Sequence, residues 1–291
     1  MNVGFEYHTP SQMSEVSALL AEYGADASIL AGGTDLIPKM KAGVRTPGHV
    51  ISLKAVEAQD YIEYGECGLS IGPKATLWQI EQSDAVRQSS PALYEAVRSM
   101  ASTQIRNFAT LVGNICNAVP SADTAPALLV YGAEVRICGS SGSRVCPIGT
   151  FFTGVCRTVC APDEYVAEIR LPVPSGDAFG RYAKYTVRRA LELAMVGVAV
   201  YAEVKNGVAE DIRIALGAVA PTPIRARYAE DLLIGNALTD EAICAAADAA
   251  AWQDASPISD IRASAGYRRE IVRLLVRDLL KAAREERGAS S

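Results

Sequence analysis

The residues best placed to do chemistry in this 291-residue chain offer main chain more than side chain. Ser28-Ile29-Leu30-Ala31-Gly32-Gly33-Thr34-Asp35-Leu36 reads as the end of a buried strand, a tight glycine turn and the start of a helix at Asp35. Adjacent glycines open backbone angles closed to other residues and let a ligand approach the main chain closely. Successive N–H groups in such a turn form a nest for an anion, and a helix N-terminus behind it adds a favourable dipole. That combination suits a diphosphate. The same residues would also serve as a plain strand-to-helix turn.

The second informative stretch runs from Ala109 to Asp123. Its polar side chains, Thr110, Asn114, Asn117, Ser121 and Asp123, are bracketed by apolar ones, and Gly113 permits close backbone approach. Polar groups in an otherwise buried segment need partners, so they either satisfy the loop backbone or hold a ligand. Ser121 is expected to cap a helix over 122–131 with Asp123 in its favourable first turn. That is the purely structural use of Asp123.

Side-chain chemistry is sparse. No two glycines stand two apart, so the dinucleotide fingerprint G-x-G-x-x-G is absent. Gly43-Val44-Arg45-Thr46-Pro47-Gly48-His49 lacks the lysine and hydroxyl of a phosphate-binding P-loop. There is no G-x-S-x-G elbow and no H-E-x-x-H. His8 and His49 read as structural, and no metal site is expected. Seven cysteines form an odd, scattered set without a C-x-x-C, which favours reduced, incidental thiols over disulfides or a cluster. With no acid–base or nucleophile constellation, the assignment of catalytic side chains is none. Chemistry done by a bound cofactor fits better.

The elements that must position these stretches follow from periodicity. Phe5–Tyr7 reads as a strand, Thr9-Pro10-Ser11-Gln12 as a capping box, and Met13, Val16, Leu20 and Tyr23 as one face of a helix ending at Gly24. His49–Leu53 reads as another strand, making the first unit a small α/β layer. Hairpins are expected at 61–71 and 134–147, helices after Thr76 and Pro91, and a strand over Glu164–Leu171. After the linker Pro172–Gly176, three antiparallel strands are expected over 180–187, 196–204 and 208–218, then helices over 224–233, 239–252 and 267–286. In the last, Ile271, Leu274, Leu275 and Leu279 form the expected buried stripe, with the basic residues between them solvated. The division is two domains: 1–175, with subdomains about 1–57 and 58–175, and 176–291. The net charge of −5 disfavours nucleic acid. The N-terminus lacks signal-peptide features and no apolar run could span a bilayer. The expectation is a cytoplasmic chain without membrane attachment.

Leu30-Ala31-Gly32-Gly33-Thr34-Asp35, and Thr110-Leu111-Val112-Gly113-Asn114-Ile115 with Ser121-Ala122-Asp123, together resemble the FAD-binding (medium) subunit of the molybdenum hydroxylases, the xanthine dehydrogenase family. Gln104-Ile105-Arg106-Asn107, Thr124-Ala125-Pro126-Ala127-Leu128-Leu129 and Ala220-Pro221-Thr222-Pro223-Ile224-Arg225 agree, so the resemblance spans essentially the whole chain. It is nearest to bacterial xanthine dehydrogenases built from separate subunits. The resemblance implies an α+β fold: a two-subdomain FAD-binding domain of the vanillyl-alcohol oxidase (PCMH) type, then a small antiparallel sheet with helices. By the same resemblance, Ser28 to Leu36 would cradle the FAD pyrophosphate and Ala109, Thr110, Gly113 and Asn114 would form a second wall. Asp123 would contact the adenosine or diphosphate part, Val166 would line the flavin, and Lys184 would stand near the isoalloxazine ring.

The implied role is electron transfer. A large molybdopterin subunit would hydroxylate a purine such as xanthine, and a small subunit would relay electrons through two [2Fe-2S] clusters. FAD held non-covalently here would reduce NAD+ to NADH. The implied assembly is a dimer of heterotrimers. Another N-heterocycle such as nicotinate is the competing substrate, and a non-catalytic assembly module or a stand-alone flavin oxidase are the competing roles. Some relatives carry a [4Fe-4S] cluster in an insertion after the second FAD loop; no insertion follows Cys116 here, so that cluster is not expected. Cys156 and Cys160 stand where relatives more often have glycine or an apolar residue.

Overall fold

The short extended segments 6–8, 27–30 and 49–52 solve their edge problem by pairing with one another. In the computed structural model, which describes residues 4–174, 177–188 and 192–288, β1 (Glu6–His8), β2 (Ala27–Leu30) and β3 (His49–Ser52) form a parallel sheet in the order β1-β3-β2. The helix Met13–Tyr23 covers it with Val16 and Leu20, against Ala27, Ile51, Leu53 and Val56. Gly24 ends this helix at φ 49°, the left-handed region that glycine tolerates. The expected capping box does not form: the helix starts after Gln12 without a side-chain cap, and Glu15 instead accepts from the backbone N–H and hydroxyl of Ser11.

The second sheet is antiparallel, in the order β4-β5-β10-β6-β7. Its strands are β4 (Ile62–Gly65), β5 (Gly68–Ile71), β6 (Glu134–Gly139), β7 (Gly142–Pro147) and, after the small pair β8 (Phe152–Gly154) and β9 (Arg157–Thr158), β10 (Glu164–Leu171). Helices Leu77–Gln82, Pro91–Arg98 and Thr124–Tyr131 lie over it and share its core. Thr76 makes the full capping box with Gln79.

The third sheet runs β11 (Phe179–Tyr185), β12 (Val196–Lys205), β13 (Val208–Gly217), β14 (Ile224–Arg225), all antiparallel. The helix expected over 224–233 is shorter, Arg227–Asp231, because Ile224 and Arg225 pair with Leu216 and Ala215 and satisfy the β13 edge. Thr239 caps Asp240–Ala249, which widens into a π-turn at Ala250–Asp254. The final helix, Ala265–Gly288, buries Ile271 as expected, together with Val272, Val276, Leu280 and Ala283; Leu275 and Leu279 are half-buried against the same core and Leu274 is 38% exposed. The expected stripe is therefore partly right, with its centre shifted one residue toward Val272, Val276 and Leu280. Arg268, ahead of that stripe, is fully buried; its guanidinium donates to the carbonyls of Met195 and Ala218 and pairs with Asp260 at 2.9 Å. The linker residues 175 and 176 lie outside the described residues.

Candidate functional site

A cleft of about 970 Å³ opens between the first two sheets and the edge of the third. Its size is at the upper end for small-molecule sites, enough for a dinucleotide rather than a metabolite of a few atoms. Ser28, Ile29, Ala31, Gly32, Gly33, Thr34, Asp35 and Leu36 line it from the first loop. Ala109, Thr110, Gly113 and Asn114 line it from the second, with Asp123 and Val166 beyond them. Leu30 and Lys184 do not line the cleft: Leu30 lies behind the turn, its carbonyl accepting from Leu53 N–H at 2.9 Å, and Lys184 stands behind Asp123.

The first loop has a specific electrical character. Among the described residues, the N–H groups of Gly32, Gly33, Thr34, Asp35 and Leu36 find no protein acceptor. An uninterrupted run of donors at a cleft wall is an anion nest. The helix behind it, Leu36–Lys41, starts one residue later than expected and has only six residues, so backbone donors rather than a helix dipole carry the attraction. Gly33 takes φ 72°, a conformation costly for other residues. Gly32 is needed for a different reason from ligand approach. A Cβ there would stand 1.9 Å from the Phe108 carbonyl oxygen and 3.0 Å from Ala109 Cα, so the two loops touch backbone to backbone at this point.

The second stretch already satisfies itself. Thr110 Oγ1 accepts from Gly113 N–H at 3.0 Å and caps the helix Leu111–Asn117, and Asn114 Oδ1 accepts from the Thr124 hydroxyl at 2.6 Å. Ser121 is not a cap. The following helix begins at Thr124, with Asp123 as its N-cap residue but without a capping hydrogen bond. The Asp123 carboxylate turns instead toward the third sheet. It accepts from the Tyr182 hydroxyl at 2.7 Å and from Lys184 Nζ at 3.0 Å. Lys184 also donates to the Ser99 carbonyl at 3.0 Å. Burial pushes the Asp123 carboxyl above its ordinary value, with Lys184 and Tyr182 pulling the other way. The Tyr182 phenol is pushed well above 10, first by burial and then by the Asp123 charge.

Val166 reaches the cleft through an irregularity in β10. Val166 pairs with Ile137 and Glu168 with Arg136, leaving Ala167 unpaired, and such a bulge re-aims neighbouring side chains.

Two cations were not anticipated from the sequence. Lys39, one turn into the helix after the glycine turn, lines the cleft and donates from Nζ to Asn117 Oδ1, bridging the two loops. Arg45 braces the strand side, donating to Ser28 Oγ at 3.1 Å and to the Ala25 and Ala27 carbonyls at 3.2 Å. A lysine on the cleft-facing side of the first turn after a glycine nest is the signal that would have flagged Lys39.

Comparison with known proteins decides what this arrangement belongs to. Residues 3–174 match the model of the FAD-binding domain in molybdopterin dehydrogenase, and residues 181–283 match that of the CO dehydrogenase flavoprotein C-terminal domain. The chain belongs to the FAD-binding subunits of the molybdenum hydroxylases. It is 33% identical over 279 residues to the carbon monoxide dehydrogenase medium chain of Hydrogenophaga pseudoflava, covering 96% of each. It is 32% identical, over 95% of each chain, to the putative xanthine dehydrogenase FAD-binding subunit of Escherichia coli K12. A solved structure of the Hydrogenophaga pseudoflava carbon monoxide dehydrogenase superposes with a TM-score of 0.93 over 97% of this chain and 98% of that one. The fold is thus that of this family's FAD-binding subunit, with its two domain types in the expected order, and FAD is the cofactor. Among the described residues, no helix is long and apolar enough to cross a membrane.

Proposed function

We propose that the chain holds FAD non-covalently in this cleft and serves as the electron-transfer subunit of a molybdenum hydroxylase complex. In that complex it would pass electrons from the [2Fe-2S] clusters of a small partner to NAD+ while a large molybdopterin partner hydroxylates a purine such as xanthine. The observation that carries the reading is the run of unpaired N–H groups from Gly32 to Leu36 facing a dinucleotide-sized cleft. When bound, FAD would supply the hydride and single-electron chemistry that no side chain of this cleft offers.

The chain's own residues then have defined tasks. The Gly32–Leu36 backbone holds the diphosphate, and the Lys39 ammonium adds a cation beside it. Ser28, fixed by Arg45, and Ile29, Ala31 and Val166 give the apolar-to-polar walls that orient the cofactor. Asp123 lines the cleft while its two carboxylate oxygens hold Tyr182 and Lys184, so Lys184 supplies positive charge to the same neighbourhood without direct contact. Oligomerisation as a dimer of heterotrimers in the cytoplasm completes the proposal.

The purine reading is supported by the Escherichia coli relative; the comparable likeness to carbon monoxide dehydrogenase favours a second reading in which the partner oxidises carbon monoxide. A further N-heterocycle such as nicotinate fits the same subunit. The test is to purify the native complex, record its cofactors, and follow NADH formation with xanthine, nicotinate and carbon monoxide in turn. Yellow protein with xanthine-dependent NADH formation supports the proposal. Colourless protein that still assembles with its partners would make the chain an assembly module and refute it.

A further inference from the structure

The chain's two histidines, 41 residues apart, meet at the edge of the helix-covered face of the first sheet, where Tyr23 of that helix stacks on His49, and neither lines the cleft. Strands β1 and β3 run parallel with Glu6 opposite His49, and His8 falls on the same face of β1 as Glu6 because side chains alternate along a strand. His8 Nε2 lies 3.0 Å from His49 Nδ1, and Glu6 Oε2 lies 3.6 Å from His49 Nδ1 and 4.0 Å from His8 Nε2. For a triangle with these sides the in-plane point equidistant from all three corners is about 2.1 Å from each, so a metal just out of that plane stands slightly beyond the bond length Zn2+ takes to imidazole nitrogen and carboxylate oxygen, within reach of a small side-chain adjustment. The donors are also held in place. Tyr23 stacks on His49 with ring centres 3.6 Å apart and planes 6° from parallel, and its ring centre is 5.4 Å from that of His8. The histidine side chains are 19% and 18% exposed and that of Glu6 is 73% exposed, so the rings are sheltered and the remaining coordination position faces water.

We propose that Glu6, His8 and His49 bind one divalent first-row transition metal, of the Zn2+ type, with water as a further ligand. Two imidazoles and a carboxylate suit this class rather than Mg2+ or Ca2+, which prefer all-oxygen shells. A simple histidine–histidine hydrogen bond explains the 3.0 Å contact but leaves the placement of the carboxylate without a use. The role is structural. β1 has only three residues, and a metal here pins it to β3, the central strand that also carries β2 and the glycine turn.

The experiment uses the full chain, stripped with a chelator and titrated with Co2+, because the seven cysteines would otherwise compete unnoticed. The expected result is one Co2+ per chain, weak visible absorption without thiolate charge-transfer bands, and a raised Tm. His49→Gln should weaken binding by about 100-fold or more, beyond the loss typical of outer-shell changes. Glu6→Gln, at an exposed position that does not threaten folding, should weaken it by about tenfold or more. Thiolate bands at stoichiometric Co2+, binding unchanged in either variant, or no Co2+ retained on dialysis would each overturn the site. None of these outcomes depends on whether FAD binds the cleft.

Discussion

The two loops that line the cleft are both glycine-containing and rich in small polar residues, and the sequence left each open to a purely structural use. In the structure they do opposite things. The first, Gly32 to Leu36, leaves its N–H groups without protein partners among the described residues, while the second, Ala109 to Asp123, spends polar groups on itself, on the third sheet and, through Asn117, on Lys39 behind the first loop. In the proposed reading, the first supplies the donors to the cofactor, and the second lines the same cleft while holding the distance and angle between its walls. The difference teaches that polar loop residues should be judged by what remains unsatisfied after folding, not by their polarity.

Substitutions can break this comparison. Asp123→Ala carries the largest expected effect, about 3–5 kcal/mol of stability, because it leaves the nearly buried Lys184 ammonium and the Tyr182 hydroxyl without their acceptor. Urea denaturation of the full chain measures it, and a loss below about 1 kcal/mol would mean that the scaffold loop stands without its carboxylate. Gly32→Ala comes next. Its Cβ meets the Phe108 backbone, so a destabilisation of about 1–3 kcal/mol should accompany loss of bound flavin absorbance. If the variant stays yellow, the loop-on-loop contact is not what shapes the nest.

Lys39→Met should lower FAD affinity by about tenfold, about 1.4 kcal/mol, while Tm without FAD moves little. Equal losses in both would reassign Lys39 from the binding surface to the scaffold. Thr110→Ala removes a helix cap and should cost about 1 kcal/mol of stability with FAD stoichiometry intact. A selective loss of FAD instead would show that the second loop binds directly.

The smallest effect concerns the cleft rim. Hydrogen bonding from Arg144 holds the Glu164 carboxyl below its usual 4.5. A depressed folded-state value contributes stability that is full above pH 4.5 and lost as pH falls below it. Arg144→Ala should therefore reduce acid sensitivity by under about 1 kcal/mol, the scale of a partly exposed pair, as read from denaturation curves across that range.

Much of the architecture was legible. Turn residues and apolar runs located β4 through β7, β10 and the three long strands of the last sheet; burial alternates along β6, whereas β12 is buried on both faces from Val196 to Ala202 and shows itself as a continuous apolar run. Helix ends were less so. The Thr9–Gln12 box and the Ser121 cap both satisfied a local pattern, yet Glu15 ties down Ser11 at the first helix and Tyr182 and Lys184 draw the Asp123 carboxylate away from the second, so neither cap forms. The final helix shows the same limit: apolar residues on adjacent rows allow two phases of the stripe, and only the buried Arg268, held by two carbonyls and Asp260, identifies the inward one. At the cleft, the glycine turn was visible because φ 72° restricts residue choice, whereas Lys39 was hidden because a helical lysine defaults to solvent.

The core beneath the second sheet is not closed by its own strands. Tyr182, Ala199, Tyr201 and Ala215, all from the last sheet, complete it, and the Tyr131 hydroxyl next to them accepts from Ala92 N–H at 3.1 Å. A gene cut after codon 174 would consequently yield a fragment with an uncovered apolar face and a stranded carboxylate. The two halves share that apolar seam, so a substitution at Tyr182 or Tyr201 is felt in the packing of both.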